Sequence, residues 1–408
     1  MHFSILNMPS NNSNKIVVRE VDIECIHEGL DNLQGYAKAV VFFRFRNSFV
    51  GEVRYDIHNG KLSEEELRNG LVSLAWPLWQ WAVIDESVHA RSNVSASVVV
   101  CTRNRAIDLK QCLDSLIPIN AKGIEIVVVD NCSDDNKTAK LIEGYPSMRY
   151  IYESRIGLNI ARNTGISASK GDIIAFTDDD AVVDEKWVDR IRENFADPTV
   201  AVVTGMALPL ELNTQAQQWF EKTNSFKRGF EKKKFDMNNI NPLGAGIVGA
   251  GVNMAIRRSY LNRIGMFDNA LDGGTPTRSG GDQEFFYRTL ARGFRIVYDP
   301  QAVVWHRHRS HWHSLRRVMF GYGVGLFAWW TRAFFLERES SLLRWGSHWF
   351  IKHHVANLVK SILKRPNRIP LDLTLAEFIG AILGPFFYLR SYMKLRNTEE
   401  LGETGKQT

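Results

Sequence analysis

Three runs of strand-forming residues constrain this chain more than any other feature: SVVVCT at 97–102, IEIVVVD at 124–130 and DIIAFTD at 172–178. Valine and isoleucine without polar alternation suit strands buried on both faces, and the intervening segments carry helical patterning, as in LKQCLDSL at 109–116. Buried strands that alternate with helices build a mostly parallel α/β sheet. Ligands of such sheets bind beyond the carboxyl ends of the strands. Each run delivers polar residues there: Thr102 to Arg105, Asp130 to Asp135, and Asp178 to Asp180.

The sheet pattern begins at Val94. Before it, Ile16–Ile23, Ala39–Phe45 and Phe49–Ile57 read as strands, Asn59-Gly60 as a turn, and Ser63 with Glu66 as the capping box of a helix over 63–76. We read 1–92 as a small α+β domain with a structural or docking role, because it gathers no reactive side chains. The sheet domain is expected over 93–308, closing with a strand AVVWH at 302–306 after Pro300. A helical, basic and aromatic region follows at 309–408, its polar end from Asn397 expected to be disordered.

Composition narrows the class. In 408 residues, 44% are hydrophobic and 24% charged, the balance of folded, water-facing domains. Cys25, Cys101, Cys112 and Cys132 have no metal-type spacing and read as free thiols of a reducing compartment. MHFSILNMPSNNSNK lacks the pattern of a secretory signal, so the expected location is cytoplasmic. The most apolar stretches, Val318 to Thr331 and Phe378 to Leu389, fall short of the length needed to cross a bilayer, and neither is expected to span. Between His306 and Arg396 stand 15 Lys and Arg against 4 Asp and Glu, interleaved with aromatics. Such a surface suits an anionic membrane face, a nucleic acid or simply solvent. We expect the membrane and no nucleic acid.

The densest chemical signal is Thr177-Asp178-Asp179-Asp180. Adjacent carboxylates at a strand end repel unless solvated or neutralised, and Mg²⁺ or Mn²⁺ bridging to phosphate oxygens is the simplest partner. Alternation in an extended segment would turn Asp178 and Asp180 to one side and Asp179 away. A helix-capping acidic cluster is the alternative. Asp130, with Asn131, Ser133 and Asp134, could hydrogen-bond a ribose or base, or merely cap a helix. Arg162 and Asn163 precede a helical stretch, where an arginine fork could reach phosphate or form a surface ion pair.

SVVVCTRNR, VVVDNCSDD, GLNIARNTGI, DIIAFTDDD, GAGVNMAIRR (249–258), GGDQEFFYR (280–288) and IVYDPQAVVWHRH (296–308) resemble, in order, the motifs of glycosyltransferase family 2 over about residues 95 to 308. The resemblance implies a GT-A fold, a nucleotide-sugar donor (UDP being the commonest nucleotide) and Mn²⁺ or Mg²⁺. It carries nucleotide contact to Asp130 and metal coordination to Asp178 and Asp180, with His306 as a further ligand that would favour Mn²⁺. Thr102, Arg103, Asn104, Arg162, Asn163 and Asp179 complete the expected donor-binding set. Inverting members use a late aspartate as base, commonly in a Glu-Asp pair; here Gly281 replaces the Glu, so the base falls on Asp282, with Glu284 as alternate. Gly249, Gly251 and Asn253 stand where the family places sugar and acceptor contacts, or mark only a tight turn.

Ser341 to Trp345 matches only the end of the motif of processive members, and spanning helices are not expected, so transfer of one sugar to a lipid-linked or surface-glycan acceptor is the implied reaction. Two other classes stay in view. The missing Glu at 281 would suit a catalytically silent nucleotide-sugar or glycan binder. A nucleotidyltransferase would carry a glycine-rich loop after the first sheet strand, where Cys101 to Arg105 has no glycine.

Overall fold

The computed structural model describes residues 15–45, 48–75 and 94–404, which form two compact units. In the first, β1 (Ile16–Asp22), β2 (Lys38–Phe45) and β3 (Ser48–Asp56) make a sheet, β1 parallel and β3 antiparallel to β2. Val41, Phe43 and Val50 bury its inner face with Leu67 of α1 (Glu64–Leu71). Asn59 and Gly60 both take positive φ (56° and 69°), as a tight hairpin turn demands. Ser63 and Glu66 close the expected capping box. The helix ends at Leu71 in a single tighter turn, Val72–Leu74, and Trp76 lies outside the described residues. Pro209–Asn224 and Arg307–Trp312 join this unit, where the His308 Nε2 lies 3.1 Å from Glu221 Oε2.

The second unit holds the mixed sheet and the C-terminal helices. In chain order it contains β4 (Ala96–Thr102), α2 (Ala106–Ala121), β5 (Glu125–Asn131), α3 (Lys137–Ile142), β6 (Arg149–Glu153), α4 (Leu158–Ala168), β7 (Ile173–Asp178), β8 (Ala181–Val183), α5 (Trp187–Asn194) and β9 (Val200–Pro209). There follow β10 (Lys233–Phe235), β11 (Asn253–Arg257), α6 (Gly281–Ala291), β12 (Arg295–His306), α7 (Trp312–Leu336), α8 (Leu342–Trp349), α9 (Ala356–Ile362) and α10 (Leu371–Thr404).

The strand order is β10-β12-β9-β11-β7-β4-β5-β6, with β8 paired to β12. β7, β4, β5 and β6 are parallel, whereas β11 runs antiparallel between β7 and β9. The valine-rich runs are the parallel half, buried beneath Leu113 and Trp187 on one face and Phe285 and Trp329 on the other.

Three expectations need correcting. The last strand starts at Arg295, not after Pro300; the missing N–H of Pro300 falls between the stretch paired with β10 and the stretch paired with β8. The end expected to be disordered from Asn397 continues α10 to Thr404. Phe378 to Leu389, which looked too short, lies inside a longer helix, and Leu371–Asn397 is, by length and composition, long and apolar enough to cross a membrane.

Gly323 and Gly325 have a packing explanation. A side chain at Gly323 would meet the carbonyl of Glu377 in α10, and one at Gly325 would meet Ser279 in the loop before α6. Ser279 Oγ donates to the Gly321 carbonyl at 2.7 Å, and Trp329 Nε1 to Gln283 Oε1 at 3.2 Å. The glycines thus let α7 bear directly on the segment that carries Asp282.

Candidate active site

Parallel register sets the level of the site. Thr102 pairs with Asp130 across β4 and β5, and Cys101 pairs with Asp178 across β4 and β7, so the polar ends of three strands emerge together. β7 stops at Asp178; Asp179 and Asp180 form the turn into β8. Because β8 pairs with β12, with Ala181 opposite His306, the turn brings His306 to the aspartates.

The aspartates divide their tasks. Asp179 is buried and accepts from Thr102 Oγ1 at 2.8 Å and from Arg105 Nη1 at 2.8 Å. Asp180 accepts from the same Arg105 Nη1 at 2.7 Å and lies 3.2 Å from His306 Nε2. Ligand atoms of Asp178, Asp180 and His306 all lie within 4.8 Å of one another. Asp179 lies outside that cluster and accepts from Thr102, though it shares Arg105 Nη1 with Asp180.

Burial, then the charge of Asp180, pushes Asp178 up to about 6. Burial also lifts Asp179 to about 7 against the pull of Arg105. For Asp180 the same burial is outweighed by His306 and Arg105, which hold it below the usual carboxylate range. Burial disfavours the His306 charge, but Asp180 more than compensates and raises its pKa. Two carboxylates and an imidazole, crowded in a buried corner with excess negative charge, fit a divalent cation, and the imidazole suits Mn²⁺ better than Mg²⁺.

Beside this corner, Asp130 accepts from Tyr150 Oη at 3.0 Å and from the Ser133 backbone N–H at 3.1 Å. Arg103 and Asn104 hook the first loop to the second: Arg103 Nε donates to the Cys132 carbonyl at 3.1 Å, and Asn104 Nδ2 to Asp134 at 2.6 Å. These contacts shape the rim from protein atoms alone.

Arg162 is buried on α4 and donates to Asp272 at 2.8 Å and Asn159 at 3.1 Å. Gly251 separates it from Asp282: a Cβ there would stand 2.7 Å from Arg162 Nη2 and 3.2 Å from Asp282 Oδ2. The Gly251 N–H donates to Asp282 Oδ2 at 2.7 Å. Tyr322 of α7 feels the charges of Asp282 and Arg228, while burial chiefly pushes its hydroxyl pKa well up.

Several expected residues sit elsewhere. Asn163 is tied to the Phe267 backbone and Asn269, bracing the loop before Asp272. Asn253 is fully buried, accepting from Trp187 Nε1 at 2.8 Å and donating to the Met206 and Ala302 carbonyls. Glu284 is fully buried, bonded to Arg288 at 2.5 Å and 2.9 Å from Arg332 Nη1. Arg105 was visible only as the last polar residue of a strand-end turn, and Asp272 only as part of a Leu-Asp-Gly-Gly turn. Nothing in the sequence points to Tyr322.

Residues 97–265 match the sequence model described as Glycosyl transferase family 2. This segment is similar to that family. Its α/β architecture is GT-A-like, with additional N- and C-terminal elements. The chain is 25% identical over 238 residues to a pre-mycofactocin glycosyltransferase of Mycobacterium tuberculosis, covering 56% of this chain and 47% of the relative. It thus spans about half of that protein. It is 26% identical over 259 residues to glycosyltransferase AglE of Haloferax volcanii, covering 61% of this chain and 79% of the relative. Among solved structures, mannosyltransferase PcManGT from Pyrobaculum calidifontis in complex with GDP-Man and Mn2+ aligns over 84% of this chain and 90% of its own, at 16% identity and a TM-score of 0.43.

Proposed function

We propose that this protein is an inverting, metal-dependent glycosyltransferase that moves one sugar from a nucleotide-sugar, UDP-linked by preference, to a lipid-linked or surface-glycan acceptor at a cytoplasmic membrane face. The convergence of Asp178, Asp180 and His306 at the strand ends, on the same sheet edge as Asp130, carries this reading. A divalent cation held by those three residues would supply positive charge to the leaving diphosphate.

The chain's own groups do the remaining work. Asp130, Thr102, Arg103 and Asn104 line the nucleotide side, their loops fixed by the hydrogen bonds between them. Asp282 is the base: as the acceptor hydroxyl oxygen attacks the anomeric carbon, its proton passes to the Asp282 carboxylate. The bond from that carbon to the diphosphate oxygen breaks with its electron pair, and attack opposite the leaving group inverts the configuration. The Gly251 N–H fixes one carboxylate oxygen of Asp282, and Arg162 keeps positive charge beside it.

Gly281 does not argue for a silent binder. Asp272 Oδ2 lies 2.6 Å from where a Cβ of residue 281 would stand, so an acid from another loop lies beside Gly281. The test is a panel of nucleotide sugars with purified full-length protein, with and without Mn²⁺, read by hydrolysis and thermal shift. The expected result is an Mn²⁺-dependent shift and turnover with one donor, with Asp282→Asn keeping the shift and losing turnover. No shift and no turnover with any donor would overturn the proposal.

A further inference from the structure

Among the described residues, fifteen of the twenty-three large apolar side chains that stand exposed lie between Phe335 and Met393. Scattered exposed hydrophobes need no explanation, but a concentrated patch marks a surface that something covers. Its backbone is α10. Leu375, Ile379, Ile382, Phe386, Leu389 and Met393 recur at alternating steps of four and three, which places them in one row. From Leu371 to Met393 the row runs for about 33 Å at the helical rise. No charged residue interrupts it between Glu377 and Arg390.

The opposite face of α10 is held by protein. Leu373, Ala381 and Tyr388 are buried there, and Tyr388 Oη donates to Asp268 at 3.2 Å. A Cβ at Gly384 would stand 2.6 Å from the carbonyl of Val324 in α7, so the two backbones are in close approach. A helix fixed along one side to a water-facing unit cannot be surrounded by lipid, although its length would suffice. Apolar on both faces, it has one face for the protein and one for a second apolar medium.

Charge selects that medium. Exposed Lys364, Arg365 and Arg368 stand in the turn before the row, and exposed Arg390 and Lys394 at its far end. A second copy of the chain laid on the same row would bring these cations near one another, whereas an anionic lipid surface neutralises them.

We propose that the exposed row of α10 seats this protein in the interface of an anionic bilayer, the helix lying in the membrane plane without crossing it. The inference identifies the surface behind the membrane-face reading above, and its test uses neither donor nor acceptor. Because α7 lies between α10 and the Ser279–Gln283 segment, the same seating would bring Asp282 toward acceptors held in the membrane.

The experiment is flotation of the full-length protein with vesicles of phosphatidylcholine alone and of phosphatidylcholine mixed with phosphatidylglycerol. Flotation is expected only with the mixed vesicles, and alkaline carbonate is expected to release the protein. The exposed double variant Ile382→Asp/Phe386→Asp is expected to weaken binding by about tenfold or more. The triple variant Lys364→Glu/Arg365→Glu/Arg368→Glu changes no packed side chain and is expected to abolish the anionic preference. Equal binding to neutral vesicles, no binding by the folded protein, or resistance to carbonate would each overturn the proposal. So would a solution dimer that the double variant dissociates without any change in vesicle binding. A thermal shift with nucleotide-sugar and Mn²⁺ on the same samples reads the transferase proposal separately.

Discussion

The backbone N–H of Gly251 and the carboxylate of Asp282 are joined at 2.7 Å, and this one bond ties the turn before β11 to the first turn of α6. Arg162 closes the other side of Gly251, so no side chain fits between the two. Gly251→Ala is expected to displace one of them and to lower kcat by about tenfold or more, since small misplacements of positioned groups are costly. The donor-induced thermal shift should be largely kept; steady-state kinetics beside that shift check the expectation.

Gly281 and Asp272 exchange space. Gly281→Glu is expected to destabilise the protein by about 1–3 kcal/mol, because Asn159 and Asp272 already fill the volume. Adding Asp272→Gly should restore part of that loss by clearing the site. Chemical denaturation of the two single variants and the double variant measures the coupling, and strict additivity would refute the shared volume.

Glu284 and Asp282 lie two residues apart on one helix with opposite surroundings. Neutralising Glu284 takes the carboxylate partner from buried Arg288, while Arg332 keeps Asp268 and Glu337, so Glu284→Gln is expected to cost about 3–5 kcal/mol of stability. Activity per folded molecule should change little. Asp282→Asn should do the reverse, keeping the melting temperature while lowering turnover by about 10²–10⁴-fold.

Glu153 ends β6 and holds the loop into α4, accepting from Arg155 at 2.9 Å and Thr164 at 2.6 Å. The Arg155 hydrogen bond foremost brings its pKa down to about 2, against burial. A depressed carboxylate stabilises the fold above its unfolded pKa and loses that contribution as pH falls through the folded value. Glu153→Gln should therefore cost about 1–3 kcal/mol at neutral pH. The difference should shrink from about pH 4.5 toward about pH 2, checked by denaturation at several pH values.

His306 offers a neutral donor that aspartates do not. His306→Ala is expected to weaken Mn²⁺ binding by about 10–100-fold and to narrow any preference for Mn²⁺ over Mg²⁺. Asp180→Asn should weaken both ions, leaving Arg105 to pair with Asp179 alone. Titration of Mn²⁺ followed by electron paramagnetic resonance separates the two cases.

Much of the sheet unit was legible because strands buried on both faces favour uninterrupted Val and Ile runs, and because register places whatever follows those runs on one edge. Thr102, Asp130 and Asp178 were therefore found together by pattern alone, and the Asp178, Asp180 and His306 grouping followed from resemblance. Arg105 was placed at that edge without a role, and Asp272 and Tyr322 were not found, because each acts through a partner far away in the chain: Arg105 through the turn after β7, Asp272 through Arg162, and Tyr322 through the glycine contacts of α7.

What the order of residues determined by itself was local: strand runs, the capping box at Ser63 and Glu66, the turn at Asn59-Gly60 and the chemistry available at the strand ends. Tertiary structure decided what each carboxylate does. Asp282 and Glu284 are equivalent in sequence terms, two acids in the first turn of α6. Packing of α7 and its Arg332 against that helix makes Glu284 a buried counter-ion, while Asp282 stays partly open beside Gly251. A carboxylate's role depends on the charges and solvent around it, and those are set by segments that the chain brings together only on folding.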